Sequence, residues 1–233
     1  MVQTKLVVSL MPDSLSAAAE LDVTAYEGAD ILEWRADFLP MDAIFKVAPT
    51  IFEKFSAFPI VFTLRTTREG GLADVPDVIY SYILKRMADE FAPAFIDVET
   101  FSYPDALEQL TDAGFGKEKI ILSYHNMHEL PRNIMDKMEK MAAEKPAFVK
   151  VAVYPQTKAE VLAWMQFCRV YADTFDVPLI AMGMGKLSAA TRILSALTGS
   201  SWTFASVGEK TSADGQFPLA ITRALLELME TEE

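Results

Sequence analysis

This chain has little cysteine, little histidine and a shortage of positive charge, and each scarcity narrows what it can be. Its one cysteine, Cys168, has no partner for an intramolecular disulfide, so nothing points to an oxidising compartment. Its two histidines, His125 and His128, form an H-x-x-H pair, but no third ligand follows at metal spacing, which disfavours a zinc site. Lys and Arg number 21 against 33 Asp and Glu, a net charge of −12. That balance argues against a nucleic-acid backbone or an anionic membrane surface as the main partner. Any small anionic ligand must then be met by arginines or lysines gathered in one place. No apolar run approaches the roughly 20 residues that span a bilayer. The opening run is too short for a signal peptide and stops at Pro12-Asp13. A cytoplasmic protein is expected.

What is present is an alternation of short apolar runs with longer amphipathic ones. The short runs cover 6–10, 31–34, 60–64, 94–98, 120–124, 148–153, 179–182 and 203–205. They are continuously hydrophobic rather than alternating, as strands buried on both faces are. Helical patterns fall between and after them at 14–27, 41–58, 78–91, 104–113, 130–145, 157–175, 187–197 and 217–229. Ser14 reads as an N-cap of the first, and Val161, Trp164, Met165 and Cys168 share one face of the sixth. Eight βα units without an internal linker predict a single (β/α)8 barrel domain over residues 1–233. A doubly wound open sheet is the alternative, and eight units in so short a chain disfavour it.

Barrel chemistry gathers at the C-terminal ends of the strands. The predicted strand ends carry Glu33-Trp34-Arg35-Ala36-Asp37, Arg65-Thr66-Thr67-Arg68-Glu69-Gly70-Gly71, Asp97-Val98-Glu99 and Ser123-Tyr124-His125-Asn126. Strand six holds Lys150, and strand seven leads into Met182-Gly183-Met184-Gly185-Lys186 and then Arg192. The last loop contains Lys210-Thr211-Ser212-Ala213-Asp214-Gly215-Gln216. The Gly183-Met184-Gly185-Lys186 run lacks the third glycine of a dinucleotide turn and the Ser or Thr of a Walker loop.

Lys150 lies between Val149 and Val151, where burial alone would lower its pKa toward the ~7–8 useful for a nucleophilic amine. Such an amine attacks a ketone and forms an imine, which makes the adjacent proton acidic. A packed stem with its head in water is the equally weighted bland reading. His125 closes the neighbouring strand and suits proton transfer near neutrality, against the plainer reading of a satisfied, half-buried imidazole. Glu69 can orient it as a carboxylate behind an imidazole does. Arg35, Arg65 and Arg192 offer fixed cations for a carboxylate or a hydroxyl-rich anion. Arg35 and Arg65 can equally pair with Glu33, Asp37 or Glu69, and both readings can hold at once. Met182 and Met184 suit the apolar side of a pocket.

Together these motifs resemble those of type I 3-dehydroquinate dehydratases, in order and at the expected strand ends, with Phe148-Val149-Lys150-Val151-Ala152 and Ser212-Ala213-Asp214-Gly215-Gln216 among them. The likeness runs over nearly the whole chain, although Asp214 stands where that family often has proline. It implies a homodimeric barrel in the shikimate pathway, with neither metal nor organic cofactor, that converts 3-dehydroquinate to 3-dehydroshikimate. By that resemblance Lys150 forms an imine with the C3 ketone, and His125, positioned by Glu69, moves protons in a syn elimination. Arg192 would hold the substrate carboxylate, and Glu33, Arg35 and Arg65 the ring hydroxyls. Ser212 and Gln216 would close from a lid, with Ser9, Met182, Met184 and Phe204 completing the pocket. The lid residues are small and polar, so that loop is expected to be mobile when empty. A class I aldolase and a catalytically dead barrel are the competing readings. The first should show a glycine-rich phosphate site that residues 203–210 lack.

Overall fold

The computed structural model describes residues 4–208 and 211–229. Eight strands, β1 (Lys5–Leu10), β2 (Ile31–Arg35), β3 (Ile60–Thr63), β4 (Phe95–Glu99), β5 (Ile120–His125), β6 (Phe148–Val153), β7 (Leu179–Gly183) and β8 (Trp202–Ala205), fall on the eight apolar runs. Each pairs in parallel with its neighbours in the order β7-β6-β5-β4-β3-β2-β1-β8. The seam between β7 and β8 is drawn together by a bridge from Leu179 to Ser200. There the Ser200 hydroxyl accepts from Ala181 N–H at 2.9 Å and donates to the Trp202 carbonyl at 2.8 Å. A side chain thus does what a strand ladder does elsewhere. The result is a nearly closed (β/α)8 barrel, as the run count predicted.

The helices are α1 (Leu15–Glu20), α2 (Ile44–Lys54), α3 (Asp77–Phe91), α4 (Ala106–Asp112), α5 (Ile134–Ala143), α6 (Lys158–Thr174), α7 (Ala190–Ile193), α8 (Ser195–Thr198) and α9 (Leu219–Met229). Ser14 caps α1 by accepting from Ala17 N–H, as expected, and Thr157 with Glu160 forms a capping box on α6. Three predicted helices are cut short. The 14–27 pattern ends at Glu20 because Asp22 accepts from Thr24 N–H and starts a separate 3-10 turn. The 41–58 pattern opens with a 3-10 turn, Met41–Ala43, and α2 ends at Lys54. The 187–197 pattern becomes the single-turn pieces α7 and α8. Ser195 and Thr203 hydroxyls both donate to the Arg192 carbonyl, and Thr191 donates to that of Ser188, so side chains compete with the helical ladder.

Inside the continuous apolar strands a period of two still sorts the residues. Leu32, Trp34, Ile96, Val98, Val149 and Val151 belong to the large core shared with the helices. Ile31, Val61, Ile121, Ala152, Ile180, Met182 and Phe204 belong to a second cluster within the barrel. At the floor of that interior Phe95, Phe148 and Trp202 pack ring against ring, with centroids 4.4–5.6 Å apart. Two residues above Ile31, Phe95, Ile121 and Phe148 stand Glu33, Asp97, Ser123 and Lys150. The barrel is therefore dry below and ionic above.

Candidate active site

Lys150 is the hub of the ionic layer. It is buried to 4% exposure, and its Nζ lies 2.7 Å from Glu33 Oε1 and 2.9 Å from Asp97 Oδ2. The sequence reading considered burial alone, but partners 117 and 53 positions away in the chain surround the amine with negative charge. Both carboxyls stay below the usual carboxylate range, because the cations outweigh the burial that opposes them. For Glu33 those cations are Lys150 and Arg35; for Asp97 they are Arg65 and Lys150. Glu33 also accepts from Ser9 and Thr63 hydroxyls at 2.8 and 3.1 Å.

Arg65 supports the opposite side. Its Nη2 donates to Asp97 at 2.8 Å and its Nη1 to Glu99 at 3.0 Å, with Glu69 3.6 Å away. Glu99 in turn accepts from the Thr66 N–H and hydroxyl. The chain then doubles back sharply. A Cβ on Gly71 would lie 2.2 Å from the Arg65 carbonyl, and Gly70 adopts φ +81°, so the turn that carries Glu69 requires both glycines. That turn brings Glu69 to His125, 56 positions on: Oε2 lies 2.9 Å from Nδ1 and also accepts the His125 backbone N–H at 2.9 Å. Ser102 donates to the other oxygen. Burial pushes the Glu69 carboxyl up to about 8, only partly offset by Arg65. Burial and the charges of Arg65 and Lys150 hold His125 well below its ordinary value. The two neighbouring groups therefore titrate as one pair.

The predicted site residues come together in one cavity, which all of them line except Ser9 and Arg192. Ser9 stands behind it on Glu33. Arg35 is clamped by Asp37 through two bonds of 2.7 and 2.8 Å, so both of its sequence readings hold: it is paired, and it faces the cavity. Phe204 presents its ring 4.9 Å from Lys150 Nζ. Arg192 is 1% exposed, and only its Nη2 is engaged, on the Asp214 carbonyl at 3.1 Å. Among the described residues its Nε and Nη1 have no partner, and burial lowers the guanidinium to about 10. Residues 212–216 of the last loop lie against the barrel. Ser212 Oγ is 3.0 Å from Ser9 Oγ, Gln216 donates to Ser212, and Gly185 N–H donates to the Asp214 carbonyl. Lys210 lies outside the described residues. Met127 and Ala213 also line the cavity without having been predicted, and Asp97 was noted at its strand end but given no role. Alternation along its strand could have found Asp97, whereas Met127 and Ala213 lie in loops that carry no such signal.

Comparison with known proteins places this geometry. The model of the type I 3-dehydroquinase family matches residues 6–233. A 3-dehydroquinate dehydratase of Streptococcus thermophilus is 43% identical over 229 residues, 98% of this chain and all of that protein. Among solved structures, the 3-dehydroquinate dehydratase of Geobacillus kaustophilus superposes with a TM-score of 0.86 at 27% identity, covering 99% of this chain and 92% of that one. The type I enzyme of Clostridium difficile, solved with covalent modified comenic acid, gives 0.88 at 24% identity, with coverage of 98% and 93%. Sequence motifs, barrel and family match agree, and the chain belongs to the type I 3-dehydroquinase family of hydro-lyases.

Proposed function

We propose that this chain dehydrates 3-dehydroquinate to 3-dehydroshikimate through an imine on Lys150. The observation that carries the reading is one cavity holding a buried amine, a histidine–carboxylate pair and arginines. Lys150 Nζ adds to the C3 carbonyl, and loss of water leaves a protonated imine that draws electrons from the ring. His125 then removes a C2 proton through Nε2, since Nδ1 is held by Glu69. The C1 hydroxyl departs with a proton returned by the same imidazole, and water cleaves the imine to release product. Over the cycle the substrate loses one proton and one hydroxide. Incubation with 3-dehydroquinate, followed by enone absorbance, tests the reading; no absorbance change would end it. The same reading makes residues 1–233 one catalytic domain, acting in the cytoplasm as a homodimer without metal or organic cofactor.

Arg192 would receive the substrate carboxylate, because an unpaired buried guanidinium is costly and a carboxylate matches its fork. Arg192→Lys keeps the charge and loses the fork. KM for 3-dehydroquinate is expected to rise about tenfold, as for loss of one charge-assisted hydrogen bond. An unchanged KM would move the carboxylate to Arg35 or Arg65.

The Glu69–His125 pair sets the pH dependence. The competent form carries its proton on Nδ1, donated to an ionised Glu69, and leaves Nε2 free. Below about 8 the pair holds one more proton, which either makes an imidazolium or occupies Nε2. Turnover should therefore fall as pH drops through about 8, approaching tenfold per unit. A kcat profile flat from pH 6 to 9 would contradict this assignment.

A further inference from the structure

The two carboxylates on Lys150 are not equivalent. Beyond the lysine, the hydrogen bonds to Glu33 among the described residues come from hydroxyls, those of Ser9 and Thr63, and the Arg35 charge acts on it without bonding it. Asp97 is 1% exposed and fixed by a permanent cation: its Oδ1 accepts from Arg65 Nη2 at 2.8 Å and from Ser123 at 2.6 Å. That leaves Oδ2 aimed at Nζ, 2.9 Å away. Arg65 is itself braced by Glu99, so Asp97 cannot turn away without breaking a buried network.

The covalent step gives such a fixed charge a purpose. This inference rests on the imine reading above. An ammonium and a protonated imine carry the same single positive charge on nitrogen. Between them the ammonium gives up one proton, Nζ bonds to the carbonyl carbon, a second proton passes from nitrogen to the carbonyl oxygen, and the first is then returned to that oxygen, which leaves as water. An immobile carboxylate beside Nζ matches both ends of that sequence without reorganising, which is what electrostatic preorganisation requires.

We propose that Asp97 is the dedicated counter-ion of the Lys150 nitrogen, held on Arg65 and Ser123 so that the amine is aimed and the imine stays protonated, while Glu33 accepts the proton released before attack. Asp97 thereby also joins the nucleophile to the base, through Lys150, Asp97, Arg65 and Glu69 in succession.

Asp97→Asn retains the size of the side chain and removes its charge. Capture of the imine on Lys150 by borohydride, timed in single-turnover mixtures with 3-dehydroquinate, is expected to slow about 10²-fold, the scale of a misplaced reacting group. The kcat should fall in proportion, with KM little changed. Ser123→Ala leaves the charge in place and frees one of its anchors, so capture should slow about tenfold. It decides the question alone if Asp97→Asn does not fold. Capture at the wild-type rate in either folded variant overturns the proposal. So does a rise in KM alone, which would reduce Asp97 to a brace for Arg65. Absence of any Lys150 adduct in the wild-type enzyme is a different result, and sinks the imine reading instead.

Discussion

Lys150→Met is expected to abolish turnover, and borohydride added with 3-dehydroquinate should leave no adduct on that variant. In the parent enzyme the same treatment should place a stable substrate adduct on Lys150, since reduction traps a carbon–nitrogen double bond. Loss of a covalent nucleophile costs on the order of 10⁶-fold in kcat. Among the described residues no other lysine lines the cavity, and Lys186 is exposed. The substitution also strands Glu33 and Asp97 without their shared cation, so the melting temperature should fall too. Breaking a buried pair from one side costs about 3–5 kcal/mol. Circular dichroism separates the two effects, because a folded variant at room temperature that lacks turnover isolates the chemistry. An adduct mapped to Lys186 or Lys210 in the parent enzyme would remove the central assignment.

His125→Ala separates proton transfer from covalent capture. Turnover should fall by about 10²–10⁴-fold, the usual contribution of a general acid–base group. The Lys150 adduct should still form with substrate or product, because the amine and both of its carboxylates are untouched. The variant also leaves Glu69 facing a void, with Ser102, Arg65 and the backbone N–H of position 125 as its remaining partners. Turnover near that of the parent would mean that another group is the base. Loss of both turnover and adduct would place His125 in imine formation as well as in the elimination.

Much of this protein was legible in its sequence because the signals are local. Eight continuous apolar runs became eight parallel strands, with no end displaced by more than one residue. Lys150 stood out because a charge within Phe148-Val149-Lys150-Val151-Ala152 contradicts its surroundings, and such contradictions mark functional positions. Glu33, Glu69, His125 and Lys150, picked out near strand ends in the sequence, line one cavity in the structure, and Arg192 lies outside its lining.

What stayed hidden depends on residues that meet only when the barrel closes. Lys150 finds Glu33 across 117 positions and Asp97 across 53, so its ion pairing cannot be read from its neighbours in the chain. Burial by itself argued for a neutral amine; closure supplied two carboxylates and with them a different electrostatic setting. The pattern at 187–197 has helical periodicity, yet the hydroxyls of Ser195, Thr203 and Thr191 divide it and leave Arg192 buried with two unpartnered nitrogens. Composition and periodicity by themselves determined the number of βα units and the chemical types at the rim, because burial preference acts residue by residue. Only the tertiary structure decided which rim charges touch, which carboxyl is ionised and which imidazole nitrogen faces the cavity, because Coulomb and hydrogen-bond energies depend on separations that chain order does not set.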